Sequence, residues 1–197
     1  MYPEDVDPQS GCRLPLPRRE QLSPAGAAMF DSLADPKGGS IRGLRGPGGL
    51  HLHSPELSSH TRPLNHYLRY RAGFGARLRE LAILTTAREL DSQFEWTAHE
   101  PEALREGIPP KIIDTIKYRK DTAALDAADA VVIELGREIF TRRKVTSATF
   151  ARALEQFGPR KLVDLVALMG NYAATAALLT AFDMQLDPDQ APLLPVL

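Results

Sequence analysis

Residues 77–113 read RLRELAILTTARELDSQFEWTAHEPEALREGIPPKII, and the fold class follows from this stretch. Leu78, Leu81, Ala82, Ile83 and Leu84 predict a helix over 77–90. Asp91 or Ser92 then stands where a helix N-cap is wanted, and a second helix runs to about Glu106. Gly107 and the Pro109-Pro110 pair stop it, and residues 110–117 make a short helix. Further on, helices are predicted over 122–143 and 147–157, the latter capped by Thr146 or Ser147. Gly158-Pro159 resets the chain before a long apolar helix over 160–183. Upstream, Ser54-Pro55-Glu56 supplies a cap, a first position and an acidic first turn for a helix reaching about Arg71, which Gly73 and Gly75 break. Residues 20–34 make a first helix, with Ser23 as N-cap and Pro24 at its first position. No alternating apolar run of useful length occurs, so the class is all-α.

The flanks read differently. Pro3, Pro8, Pro15 and Pro17 make residues 1–19 an extended N-terminal arm. Six glycines within 36–50 predict a long loop with no regular element. Pro188, Pro192 and Pro195 make 188–197 a C-terminal tail, which leaves 20–187 as one helical domain. A chain of 197 residues with 24 Lys+Arg against 25 Asp+Glu gives no electrostatic reason to expect nucleic-acid binding. The single cysteine, Cys12, excludes an internal disulfide, a CxxC redox pair and a Cys-rich zinc site. The stretch Met1-Tyr2-Pro3-Glu4-Asp5 has neither the basic nor the apolar region of a signal peptide, so the expectation is a cytoplasmic protein. Residues 165–182 carry no charge, but Asn171, Tyr172, Thr175 and Thr180 interrupt them. They read as a buried helix and not as a membrane span. That helix is apolar on nearly every side and must be enclosed. Gly170, Ala173, Ala174 and Ala177 offer a face for close approach, so a homo-oligomer is expected.

Two places could carry chemistry. Glu95 and His99 lie four apart on one helix face, where a carboxylate can orient an imidazole and raise its basicity; the plain alternative is a solvated surface pair. Glu80 stands on the apolar stripe formed with Ile83, Leu84 and Ala87. A carboxylate there either pairs with Arg77 at the edge of the stripe or is buried with a raised pKa, able to relay a proton. The other candidates are weaker. His51-Leu52-His53, with His60 and His66 nearby, has no convergent carboxylate, so no metal is expected. The glycines beside Arg42 and Arg45 match no phosphate-binding fingerprint; they read as an unstructured connector or a flap. Asn171 and Tyr172 could line a pocket, though hydrogen bonding between helices is the better reading.

The quoted stretch resembles the core of the carboxymuconolactone decarboxylase family, part of the alkylhydroperoxidase-like superfamily. The resemblance is specific over 77–113 and weaker over 54–76 and 122–183, where it rests on helix order and the ending NYAATAALLTAFDM; it is absent from the arm. In that superfamily a Glu precedes the active-site His by nineteen positions, the separation of Glu80 and His99 here. The peroxidase-type members carry thiols seven and four positions before that His. Those positions are Ser92 and Glu95, so the resemblance implies the thiol-free, decarboxylase-like branch and no thiol peroxidase activity. It implies an alkylhydroperoxidase-like helical bundle, an oligomer built through helices, and a catalytic set of Glu80, Glu95 and His99. In the expected arrangement His99 is the acid, Glu95 orients it and Glu80 completes the relay. The implied reaction is loss of CO₂ from a small carboxylated lactone, with no metal or organic cofactor because the substrate carries its own electron sink. An isomerase or hydratase on the same residues, or a non-enzymatic oligomeric binding protein, are the alternatives.

Overall fold

The computed structural model describes residues 2–37 and 40–197; Met1, and the loop glycines Gly38 and Gly39, lie outside them. Among the described residues the chain is all-helical, with a single isolated bridge, Asp7 to Cys12, outside the helices. The helices are α1 (Pro24–Ala34), α2 (Pro47–His51), α3 (Pro55–His66), α4 (Ala76–Glu89), α5 (Gln93–Arg105), α6 (Pro110–Lys117), α7 (Ala127–Arg137) and α8 (Ser147–Ala181). The chain divides into two compact units, Met1–Leu64 with Ala177–Ala191, and Asn65–Ala176 with Pro192–Leu197.

The second unit carries the site. Its core gathers Leu81, Ile83 and Leu84 of α4, Trp96 and Ala103 of α5, Ile112 and Ile116 of α6, Val131 to Ile133 of α7, and Leu165, Leu168 and Met169 of α8. Helix α4 packs against α5, α6 and α7, and is buried on nearly all sides from Glu80 onward. This explains its continuous apolar run: a central helix needs no polar face. The short link between α4 and α5 is a tight turn in which Asp91 adopts φ 50°, the left-handed region. Ser92 occupies the N-cap position without a side-chain cap bond.

Two stretches are π-helical: Tyr67–Arg71, which continues α3, and Glu138–Arg142, which continues α7. Wide turns of this kind are uncommon and concentrate at functional sites. Helix α7 begins at Ala127, five residues later than the periodicity suggests. Gly158, whose φ of 69° and ψ of 166° only glycine adopts readily, breaks α8 into two helical segments at the expected Gly158-Pro159 position. The side-chain oxygen of Thr146 accepts from the Thr149 N–H at 3.2 Å and caps the first half. Asn171 Nδ2 donates to Asn65 Oδ1 at 3.1 Å, an inter-element bond of the kind expected for it. The C-terminal residues do not trail freely. Leu194 joins the core, Leu193 N–H donates to Thr97 Oγ1 at 3.3 Å, and Arg88 donates to the Pro195 carbonyl at 2.9 Å.

In the first unit the arm is not extended throughout. Asp7 accepts the Ser10 N–H, the Asp7–Cys12 bridge closes the turn, and Val6 and Cys12 are buried. The Arg13 N–H donates to Phe182 O and the Gln185 N–H to Gly11 O. Prolines set the local backbone, but the amides between them remain free to pair, which is why proline density alone misled. The expectation that no regular element survives in 36–50 is likewise corrected by α2. A Cβ at Gly49 would stand 2.0 Å from the Leu44 carbonyl oxygen, so glycine there permits close packing and does not signal an open coil. Arg42 and Arg45 pair with Asp187 at 2.7 and 2.8 Å, so the described part of the loop around them is tied down and reads as neither a connector nor a flap.

One helix, α8, is long and apolar enough to cross a membrane, with 39% of that window buried. Leu165, Leu168 and Met169 are fully buried, whereas Val163, at 68%, and Val166, at 38%, are exposed together with Ala167, Gly170 and Ala174.

Candidate active site

Antiparallel α4 and α5 bring Glu80 and His99 face to face. His99 Nδ1 and Glu80 Oε2 are 2.7 Å apart and both side chains are buried. The carboxylate therefore fixes the ring by accepting a hydrogen bond from Nδ1–H, leaving Nε2 free to exchange a proton. Glu95 Oε2 stands 3.6 Å from that Nε2. The three residues predicted from the sequence thus converge, and the reading of Glu95 and His99 as a solvated surface pair is overturned: they are 5% and 4% exposed.

Their roles differ from expectation. Glu80, not Glu95, orients the imidazole. Arg79 Nε donates to Glu80 Oε1 at 3.0 Å, so this carboxylate has a second cationic partner. Burial works to raise the Glu80 pKa, but the hydrogen bond and charge of His99, with those of Arg79, outweigh it. The carboxyl lies below its ordinary range. That corrects the expectation of a raised pKa at Glu80. Glu95 is the group pushed up. Burial is the main cause, the His99 and Arg69 charges oppose it, and the Glu80 charge adds to it. Among the described residues nothing donates a hydrogen bond to the Glu95 carboxyl. It occupies the third position of α5 in a Ser-x-x-Glu pattern, where it could have closed a capping box. It faces His99 instead.

Arg77 does not pair with Glu80. Both of its terminal nitrogens donate to Asp129, each at 2.7 Å, clamping α4 to α7. Trp96, on the same helix, gives its indole N–H to Glu100 and lies under Lys117. The ring against His99 is Tyr172 of α8, edge-on at 5.3 Å and 84°. Burial raises the Tyr172 pKa, so its hydroxyl keeps its proton.

Sequence reasoning missed two further residues. Arg79 also donates to the Arg69 carbonyl at 3.1 Å, and the two guanidiniums stand 5.3 and 5.5 Å from the Tyr70 ring centre. The Arg69 Nε is buried without a partner. Arg79 had a signal, being the neighbour of Glu80; Arg69 had none, since only the π-turn directs it here. Among the described residues no cluster of three or more His, Cys, Asp or Glu is placed to hold a metal ion. Cys12 is buried in the first unit, its Sγ donating to Leu14 O at 3.3 Å. No family model and no curated protein matches this chain.

Proposed function

We propose that the chain is a cofactor-independent lyase that decarboxylates a small carboxylated lactone or related ring compound, with Glu80, Glu95 and His99 carrying proton transfer. The observation that carries this is the pairing at one imidazole. Glu80 holds Nδ1, and Glu95, whose carboxyl pKa burial raises, stands 3.6 Å from Nε2. Such a site holds a proton donor and a proton acceptor side by side, away from water. In the proposed reaction the bond to the carboxylate breaks and CO₂ leaves. The electron pair passes into the substrate's conjugated carbonyl as a dienolate, and Glu95 or His99 then protonates carbon. Water returns the proton to the enzyme. Arg69, with its unpartnered Nε, is the cation we assign to hold the substrate carboxylate before it departs.

The working form is proposed to be a cytoplasmic homo-oligomer. The supporting feature is the outward stripe of α8, Val163, Val166, Ala167, Gly170 and Ala174, which repeats at helical spacing and is uncovered in one chain. The test of the activity is CO₂ release across a panel of γ-lactone acids, with product analysis for isomers and hydrates. CO₂ release by the native chain, lost in His99→Gln, supports the proposal. Isomerisation or hydration without CO₂ selects another reaction on the same residues. No turnover of any panel member, with native and variant alike, removes the enzymatic reading.

A further inference from the structure

A cleft of about 450 Å³ lies in the second unit between the end of the Tyr67–Arg71 turn and the α8 kink. Its volume falls in the range of small-molecule sites. Its lining includes Arg71, Arg160 and Lys161, with Ala72, Phe157 and Pro159 forming an apolar wall. No acidic residue lines it. Among the described residues none of the three cations is held in an ion pair or hydrogen bond, in contrast to Arg77 on Asp129 or Lys117 on Glu100. Asp164, the next carboxylate along α8, is turned to the Tyr67 hydroxyl at 3.0 Å.

Arg71, Arg160 and Lys161 are all exposed around this open cleft, and Arg160 and Lys161 occupy the first turn after the Gly158 break, where the helix dipole disfavours cations. Carboxylates there would stabilise the free protein. Cations in their place, beside an apolar wall, suit a ligand that brings negative charge and an apolar body together. We propose that this cleft binds a small phosphorylated organic anion, at a site separate from the Glu80–His99 pair. Arg71, Arg160 and Lys161 take the phosphate oxygens, and Phe157 and Pro159 take the apolar body.

The test is calorimetric titration of the full chain with ADP, pyrophosphate and adenosine at about 0.15 M ionic strength, where surface charge effects are already screened. ADP is expected to bind one to one and adenosine not to bind. Arg160→Gln and Lys161→Gln should each weaken ADP by about fivefold, the upper end for an exposed charge contact. Lys111→Gln, at an exposed cation outside the cleft, should leave it unchanged. Without ligand both cleft variants should melt no lower than the native chain, because they remove charge that nothing neutralises. With ADP their ligand-induced rise in Tm should be smaller than the native chain's. Arg71→Gln provides the same test on the other wall, should a change next to the kink disturb folding. Absence of saturable binding of ADP and pyrophosphate up to about 10 mM, weaker than any useful affinity, overturns the proposal. So does an equal loss of ADP binding in Lys111→Gln.

Discussion

Replacing Glu95 by Gln should stabilise the protein at alkaline pH. The two carboxylates of the site compete for one imidazole. At an effective dielectric of about 20, a protonated His99 ring would attract a carboxylate 3.6 Å away by about 5 kcal/mol. Burying that carboxylate costs several kcal/mol in the other direction. Glu80 is nearer to the ring, at 2.7 Å, and has Arg79 as well, so the ring's charge serves Glu80 first. Burial dominates for Glu95, and its folded-state pKa lies above the unfolded value. A raised carboxyl contributes stability that is fully present below the unfolded pKa and is lost as pH rises through the folded pKa. Above that window the native state carries a poorly paired buried anion. Gln mimics the protonated acid and removes this cost. The expected gain is the small remainder of two opposed terms, about 1 kcal/mol, or about 2–4 °C in Tm for a chain of this size. Melting curves followed by circular dichroism at about pH 8 and about pH 4 give the comparison, with the gain present in the first and absent in the second. Glu80→Gln should behave oppositely. Its lowered pKa means stability present above the unfolded value and lost as pH falls through the folded one, so the variant should lose about 3 kcal/mol at the higher pH and much less at the lower. A Glu95→Gln variant that melts lower than the native protein at about pH 8, or gains equally at both pH values, would refute the raised pKa assigned to Glu95.

Three other outcomes are expected. His99→Gln should lower kcat/KM on any turned-over lactone acid by about 10²–10⁴-fold while leaving the fold intact by circular dichroism; an unchanged rate would remove His99 from the chemistry. Gly49→Ala should cost about 1–3 kcal/mol in thermal unfolding, because its Cβ would meet the Leu44 carbonyl oxygen at 2.0 Å, and an unaltered Tm would show that α2 tolerates a shift. Light scattering at micromolar concentration should give a multiple of 21.7 kDa, with Val166→Glu shifting it toward one chain; a native species at 21.7 kDa refutes the oligomer.

The helical frame is legible in the sequence because its signals are local. Glycine and proline punctuate the chain where helices change, at Gly107, Pro109 and Gly158, and backbone sterics enforce those breaks wherever the helices go. The pairing of Glu95 with His99 is legible for a related reason, since the two share a helix face; that Glu80 joins them is what the resemblance implies through its nineteen-residue separation, not a local signal. What local signals do not carry is the pairing of long side chains. Arg77 lies three residues from Glu80, at good helical spacing, yet it is drawn to Asp129 of α7, a partner 52 residues away. The arm and the tail fail in the same way: proline limits the dihedrals of 2–17 and 188–197, but Cys12 and Leu194 are buried through contacts that composition does not reveal.

The division of labour between the two glutamates shows where reading of a single helix ends. On α5 alone, Glu95 is the natural orienting partner of His99, one turn away on the same face. Glu80 reverses this because it reaches Nδ1 from another helix and arrives with a cation already bound. A carboxylate held by Arg79 and the imidazole together remains ionised, and an ionised group is a good anchor but a poor acid. Glu95, farther from the ring and with no hydrogen bond to its carboxyl, has its pKa raised by burial. The chemistry of the site is therefore set by what each carboxyl lacks as much as by what it touches.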